Sequence, residues 1–189
     1  MKKALLGLAV IAGSFGILSF VPATKKEITT YNVLSDFSKV EWNAAKKNNY
    51  HAGYFVVSNG SVNVENGKLT GGKFTIDMNS VTVTDAAGAG LDKHLKNKDF
   101  FETETFKEAT FEITKVDYSS ETNATITGTA TIKGVSVPVS FPAIIRGADD
   151  KRFFAQAFFS MDRTLWGINY GLGNIAKEVQ LTVNLFANK

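Results

Sequence analysis

The 189-residue chain has no cysteine. A disulfide framework, a thiolate metal site, a cysteine nucleophile and acylation of a lipoprotein-type cysteine are therefore excluded. Only two histidines are present, His51 and His94, which is little material for a His-rich zinc centre or a Ser/His/Asp triad. Three prolines against 16 glycines rule out collagen-like and Pro-rich linker classes. Arginine is equally sparse, with Arg146, Arg152 and Arg163 making up the full set. With 44% apolar and 21% charged residues the composition is that of an ordinary globular chain, so disorder is not its dominant state.

A single long apolar run stands at the N-terminus. Met1-Lys2-Lys3 is a basic start, Ala4 to Phe20 is uncharged and apolar, and Val21-Pro22-Ala23 places small residues before a cut at Thr24. This reads as an export signal over residues 1–23, followed by one domain over residues 24–189. A retained anchor is the competing reading. However, a run of 17 residues is short for a spanning helix, and Lys25-Lys26 lie beyond the cut. Loss of Lys2 and Lys3 with the leader leaves 19 basic against 18 acidic side chains. A domain so close to neutral lacks the electrostatic footprint of a nucleic-acid binder.

What remains is dominated by period two. Between Asn123 and Lys133, Ala124, Ile126, Gly128, Ala130 and Ile132 alternate with four threonines. Phe153, Ala155, Ala157, Phe159 and Met161 form one face of a second segment, and Val179, Leu181, Val183 and Leu185 one face of a third. Such alternation marks antiparallel strands with one face on a core and one in water. Weaker copies include Val40 and Trp42, His51 to Val57, and Phe74, Ile76 and Met78, with Gly71-Gly72 as a bulge or bend. Phe111 and Ile113 follow. Asn66-Gly67 and Lys133-Gly134 are hairpin turns, and Pro138 and Pro142 argue against a central sheet position or mark bulges. Ala86 to Phe101 breaks the pattern as loop then helix, with Leu91, His94, Leu95 and Lys98 at helical spacing and an end near Asp99-Phe100-Phe101. The expected fold is all-β: an antiparallel barrel or sandwich of about eight strands with one short helix.

An eight-stranded barrel is wide enough either for its own side chains or for one small ligand. Gly128, Ala130, Ala155 and Ala157 at inward positions suit a tunnel and a tapered, filled interior alike. Phe153-Phe154 and Phe158-Phe159 place aromatics on both faces of one strand, which calls for a cover on each side.

Several segments together resemble the YceI-like family. They are Gly71 to Ser80, His94 to Phe101, Phe106 with Ala109 to Thr114, Ile126-Thr127-Gly128, Ile132 to Val135 with Pro138-Val139, and Met161 to Ile168. They run in the family's order over nearly all of the mature chain. Thr105-Phe106-Lys107-Glu108 replaces a usual Tyr-Pro, and Asn169 to Ala176 is shorter than in many relatives.

The resemblance implies an exported, periplasmic or secreted lipocalin-like β-barrel. It implies a non-catalytic protein with a polyisoprenoid or fatty-acyl amphiphile inside the barrel, and with neither cofactor nor metal. The candidate lipid cavity comprises Phe74, Ile76, Phe100, Phe101, Phe111, Ile113, Ile126, Ile132, Phe153, Phe159 and Trp166. Arg163 and His94 are the candidate head-group contacts, each weighed against a structural role as an ion-paired or hydrogen-bonded residue. Peripheral membrane contact, as a monomer or homodimer, goes with such a ligand. The competing function is a solid-cored β-sandwich, an interaction or adhesion module of the cell envelope with its partner on Phe154 and Phe158.

Overall fold

The computed structural model describes residues 27–189. The expected leader and its expected cleavage near Ala23 lie outside the described residues. Nine strands and one helix follow in order: β1 (Ile28–Val33), β2 (Lys39–Lys46), β3 (Asn49–Glu65), β4 (Lys68–Val83), α1 (Gly88–Lys96), β5 (Glu108–Tyr118), β6 (Asn123–Ile132), β7 (Val135–Ala148), β8 (Arg152–Asp162) and β9 (Ile175–Asn188). A 3₁₀ turn at Arg163–Trp166 follows β8. Every pairing between these strands is antiparallel, and β3–β4 closes the sheet into a barrel.

The ninth strand does not add a ninth stave. β1 pairs with the far part of β3, Ile28 with Glu65 through Asn32 with Ser61, and β2 pairs with its near part, Lys39 with Val56 through Lys46 with Asn49. Both also pair with β9. β1 and β2 thus share one place between β3 and β9, interrupted by a turn at residues 34–38, and the barrel closes with eight staves. Ser38, fully buried, fastens the break: its hydroxyl accepts from the Phe186 N–H and donates to the Phe186 carbonyl, both at 3.0 Å. β1 was not apparent in the sequence because Tyr31 is its one fully buried residue.

The turns form where local chemistry allows. Asn66-Gly67 and Lys133-Gly134 have φ of 52° and 74°, and 50° and 74°. Two consecutive positive φ values are what a tight hairpin with the right twist requires. A register shift between Asn63 and Val64, opposite Gly71 and Leu69, bends the sheet beside the paired glycines. The β7 prolines lie where that strand has a single partner. β7 meets β8 only over Ala143–Ala148, so Val135 to Pro142 is bonded to β6 alone and needs no second set of N–H donors.

Helix α1 ends earlier than its apolar spacing suggests. Asn97 turns to extended backbone, and the N–H groups of Phe100 and Phe101 return to the carbonyls of Asn97 and Leu95. The turn brings Phe100 and Phe101 to the barrel interior with Leu95. Asp85 sets the start of this excursion: its carboxylate accepts from the N–H groups of Ala52 and Ala87 and pairs with His51 Nδ1 at 3.1 Å.

The two barrel ends differ. At the far end lie the β3–β4, β5–β6 and β7–β8 turns, and a core cluster that includes Tyr31, Val62, Val64, Leu69 and Phe153. Tyr31 donates to the Asp149 carbonyl at 2.6 Å, and the Tyr118 hydroxyl accepts from the Leu69 N–H at 2.7 Å, joining β1 to the β7–β8 turn and β4 to β5 at that end. At the other end, the α1 end, lie the β2–β3 and β6–β7 turns, α1 and the long β8–β9 connection. A second cluster there includes Trp42, Phe55, Met78, Leu95, Phe100 and Trp166.

A candidate lipid-chain cavity in the barrel

The inward phases of the strands enclose a cavity of about 280 Å³ that reaches both clusters. β4 contributes Phe74 and Ile76; β5, Phe111 and Ile113; β6, Ile126 and Ile132; β8, Phe153 and Phe159. Phe100 and Phe101 close it from the α1 side, and Trp166 from the 3₁₀ turn, where its indole N–H donates to the Ala130 carbonyl at 3.1 Å. All eleven apolar residues singled out in the sequence therefore line one space.

Others line it as well. Val40, Trp42, Phe55, Phe141, Ile168 and the β9 face of Val179, Leu181, Val183 and Leu185 are among them. The β9 residues carried a visible alternation. Phe55 did not, because the run around it is apolar on both phases, and Ile168 lies in irregular backbone where no period exists to read.

The rings are arranged as a ladder. Phe159 stacks on Phe141 with centroids 4.1 Å apart, Phe141 meets Phe111 at 5.4 Å, and Phe111 lies parallel to Phe74 at 6.3 Å. Glycines make room for such rings. A Cβ at Gly128 would lie 2.5 Å from the Phe111 ring, and one at Gly53 would lie 2.5 Å from the Trp42 indole. The space expected at Gly128 is thus occupied by Phe111, whereas Ala155 and Ala157 do face the cavity.

On the outer face of β8, Phe154 is covered from within the chain. It stacks on Phe186 at 4.1 Å, and Phe186 meets Phe37 of the β1–β2 turn edge-on. Phe158 stays exposed.

Three polar residues, Thr110, Gln156 and Arg163, appear in the lining. Arg163 is the charged one, and it is buried, with 7% of its surface exposed. Its guanidinium holds the β8–β9 connection: Nε donates to the Ala176 carbonyl at 2.9 Å, and the two terminal nitrogens to Ile168 at 2.5 Å and Ile175 at 3.3 Å. Asp162 forms no ion pair with it. That carboxylate accepts instead from the N–H and hydroxyl of Thr164, which hold its pKa below the usual range. Burial draws the Arg163 pKa down from its ordinary value, partly offset by the Asp162 charge, yet a guanidinium stays protonated in proteins. Three of its five donors are committed, and two remain. Trp42 adds a buried indole N–H with no acceptor in the protein.

His94 does not line the cavity. It lies on the outer side of α1, with its ring edge-on to Phe100 at 5.0 Å and to Tyr170 at 4.8 Å, and Nε2 3.4 Å from Asp99. Among the described residues no three His, Asp or Glu side chains gather into a metal-binding group.

Comparison with known proteins agrees with this geometry. A UPF0312 protein of Pseudomonas aeruginosa is 37% identical over 118 residues, and the match spans 60% of each chain. A UPF0312 protein of Shewanella oneidensis is 30% identical over 139 residues, 70% of this chain and 71% of that one. Among solved structures, Burkholderia cenocepacia BcnA superposes with a TM-score of 0.70 at 23% identity, covering 82% of this chain and 99% of that one. A polyisoprenoid binding domain from Saccharophagus degradans superposes with a TM-score of 0.65 at 16% identity, covering 84% and 97%. The YceI-like domain family matches residues 31–187, and the chain, a closed antiparallel barrel with an apolar interior, belongs to that family.

Proposed function

We propose that this protein is an exported carrier that encloses the apolar chain of an isoprenoid or other long-chain amphiphile and catalyses no reaction. The observation behind this reading is the tube itself: a closed barrel whose interior is walled by aliphatic and aromatic side chains, with Arg163 as its one charged group. The name of the Saccharophagus degradans domain points to the same ligand class. A solid-cored adhesion module needs a filled interior and a free outer aromatic face. This barrel holds a cavity, and of the two outer aromatics of β8 Phe154 is stacked under Phe186 while Phe158 alone stays exposed.

Volume and affinity bound the ligand. An apolar cavity of about 150 Å³ binds benzene, so 280 Å³ accommodates about ten to twelve carbons in this conformation. Burial of ten methylenes gives about 8 kcal/mol at about 0.8 kcal/mol each. That is the free energy of a micromolar complex before the costs of association are subtracted. A tight complex therefore needs a polar contact or a longer chain. The two uncommitted Arg163 donors, and the unpaired Trp42 N–H, supply donors for a head-group oxygen.

The carrier reading is tested by native mass spectrometry and solvent extraction of protein purified from its own host, with a parallel uptake assay using polyprenyl and fatty-acyl probes. Co-purifying chains, or saturable uptake, are the expected results. Protein that is repeatedly empty and takes up neither probe contradicts the reading. The head-group assignment is tested by titrating prenyl phosphate and prenyl alcohol into wild type and Arg163→Ala. Selective loss of the phosphate is expected, and equal losses for both ligands would make Arg163 purely structural. Export is tested by N-terminal sequencing of protein recovered outside the cytoplasm, which should begin at or near Thr24.

A further inference from the structure

Eight large apolar side chains are exposed among the described residues, and five of them, Tyr50, Val135, Leu165, Tyr170 and Leu172, lie at the α1 end. The far end exposes Ile28 alone of that set. This bias coincides with a bias in charge. The β2–β3 hairpin and the β8–β9 connection are neighbours at that end: the Lys47 N–H donates to the Asn174 carbonyl at 2.8 Å, and Lys46 pairs with Ile175. No acidic residue occurs from 42 to 64 or from 163 to 177, yet these stretches carry Lys46, Lys47 and Lys177. None of these three lysines is ion-paired among the described residues. Acids border the sector: Asp85 on His51 and the Ala52 N–H, Asp99 beside His94, Asp162 on Thr164 and within reach of the Lys177 charge, and Glu178 opposite Asp162.

We infer that this rim is a docking face for a bilayer carrying anionic phospholipid, through which the barrel gains or releases its chain. The inference rests on the carrier reading for its purpose, but not for its physics. Aromatic and aliphatic side chains standing out beside unpaired lysines match the two layers of such a surface, acyl boundary and phosphate plane. Within the two stretches themselves the charged side chains are all basic, as a phosphate plane requires of its partner. The position fits the cavity, because the loop that bears Tyr170 and Leu172 also supplies Ile168 and Ile175 to the cavity wall, and Arg163 holds its base. Tyr170 rests on His94 and Phe100, so contact with the rim reaches the residues that close the cavity from α1.

The test is co-sedimentation with phosphatidylglycerol-containing and with pure phosphatidylcholine vesicles, at low and at high salt. Wild type is expected to bind the anionic vesicles preferentially and to lose that preference at high salt. Each lysine near an anionic surface contributes about a fivefold factor, so the triple Lys46→Gln, Lys47→Gln, Lys177→Gln variant should bind roughly a hundredfold more weakly. Leu165→Ser with Leu172→Ser should weaken binding on both vesicle types. In parallel, uptake of an acyl probe delivered from cyclodextrin should be unchanged in all variants, since none of these residues lines the cavity. Equal wild-type binding to both vesicles, or anionic binding untouched by the lysine triple, overturns the docking face and leaves the carrier reading standing. Preferential vesicle binding by a protein that takes up no probe does the reverse.

Discussion

At Gly128 the absent side chain admits the Phe111 ring, and the consequence can be measured. An alanine in a strand is ordinarily better than glycine by roughly 0.5–1 kcal/mol. Here the added methyl would meet the Phe111 ring at 2.5 Å and the Glu112 carbonyl closer still, and overpacking of that kind costs about 1–3 kcal/mol. Gly128→Ala should therefore destabilise the protein, read as a lower midpoint in urea. Arg163 is the second such position. Arg163→Met removes three hydrogen bonds and leaves the carbonyls of Ile168, Ile175 and Ala176 without that donor. Bonds to a charged group contribute about 1.5–3 kcal/mol each, so a large fall in melting temperature is expected. Arg163→Lys, a point charge without the fork, should recover only part of it. Neither role was legible locally, because Phe111 stands on the strand beside Gly128, and the carbonyls that Arg163 meets lie in the β8–β9 connection and at the start of β9.

Among the elements, the β3–β4 turn isolates backbone strain from packing. Gly67 has φ of 74° and open space where a Cβ would stand. Gly67→Ala should then cost about 1–2 kcal/mol through the left-handed conformation alone, measured by denaturant unfolding, with ligand uptake unchanged. The α1 excursion depends instead on a titrating group. The Ala87 and Ala52 N–H groups hold the Asp85 pKa below its ordinary value; desolvation opposes them less strongly, and His51 adds a still smaller lowering. A carboxylate with a depressed folded-state pKa stabilises the fold above its unfolded value, about 3.9, and loses that contribution as pH falls through the lower folded value. Stability traceable to Asp85 should thus be constant from pH 5 upward and fade below about pH 4. Asp85→Asn should be less stable than wild type at pH 7, and the gap should close in acid. Constant separation of the two unfolding curves down to pH 2 would contradict this assignment.

For the whole molecule, the decisive property is that rings from four strands line a wall without filling the interior. Phe→Ala in a closed core costs about 3–5 kcal/mol. Phe159 lines the cavity and stacks on Phe141, so Phe159→Ala should cost less than that range and should extend the length of acyl chain taken up. Calorimetric unfolding and a chain-length series of fatty-acyl probes measure the two effects. A full core penalty with no change in chain-length preference would show that Phe159 packs as structure only.

Much of this architecture follows from neighbours in sequence. Alternation at Ala124 to Ile132 and Val179 to Leu185 assigns inner and outer faces, because successive strand side chains point to opposite sides. Asn66-Gly67 and Lys133-Gly134 fix two hairpins through φ alone. Those local rules place the strand residues named for the interior, such as Phe74, Phe111, Ile126 and Phe159, on its wall, whereas Phe100, Phe101 and Trp166 reach it from the turn after α1 and the 3₁₀ turn. What lay beyond them depends on partners far apart along the chain. The shared stave of β1 and β2 exists only once β3 and β9 are both in place beside it. Whether the interior is open or filled turns on how rings such as Phe74, Phe111, Phe141 and Phe159 stack across strands, and packed volume cannot be read from periodicity. The gathering of Lys46, Lys47, Tyr50, Leu165, Tyr170, Leu172 and Lys177 at one end joins segments more than a hundred residues apart, and the pairing of β2 with β9 brings them together.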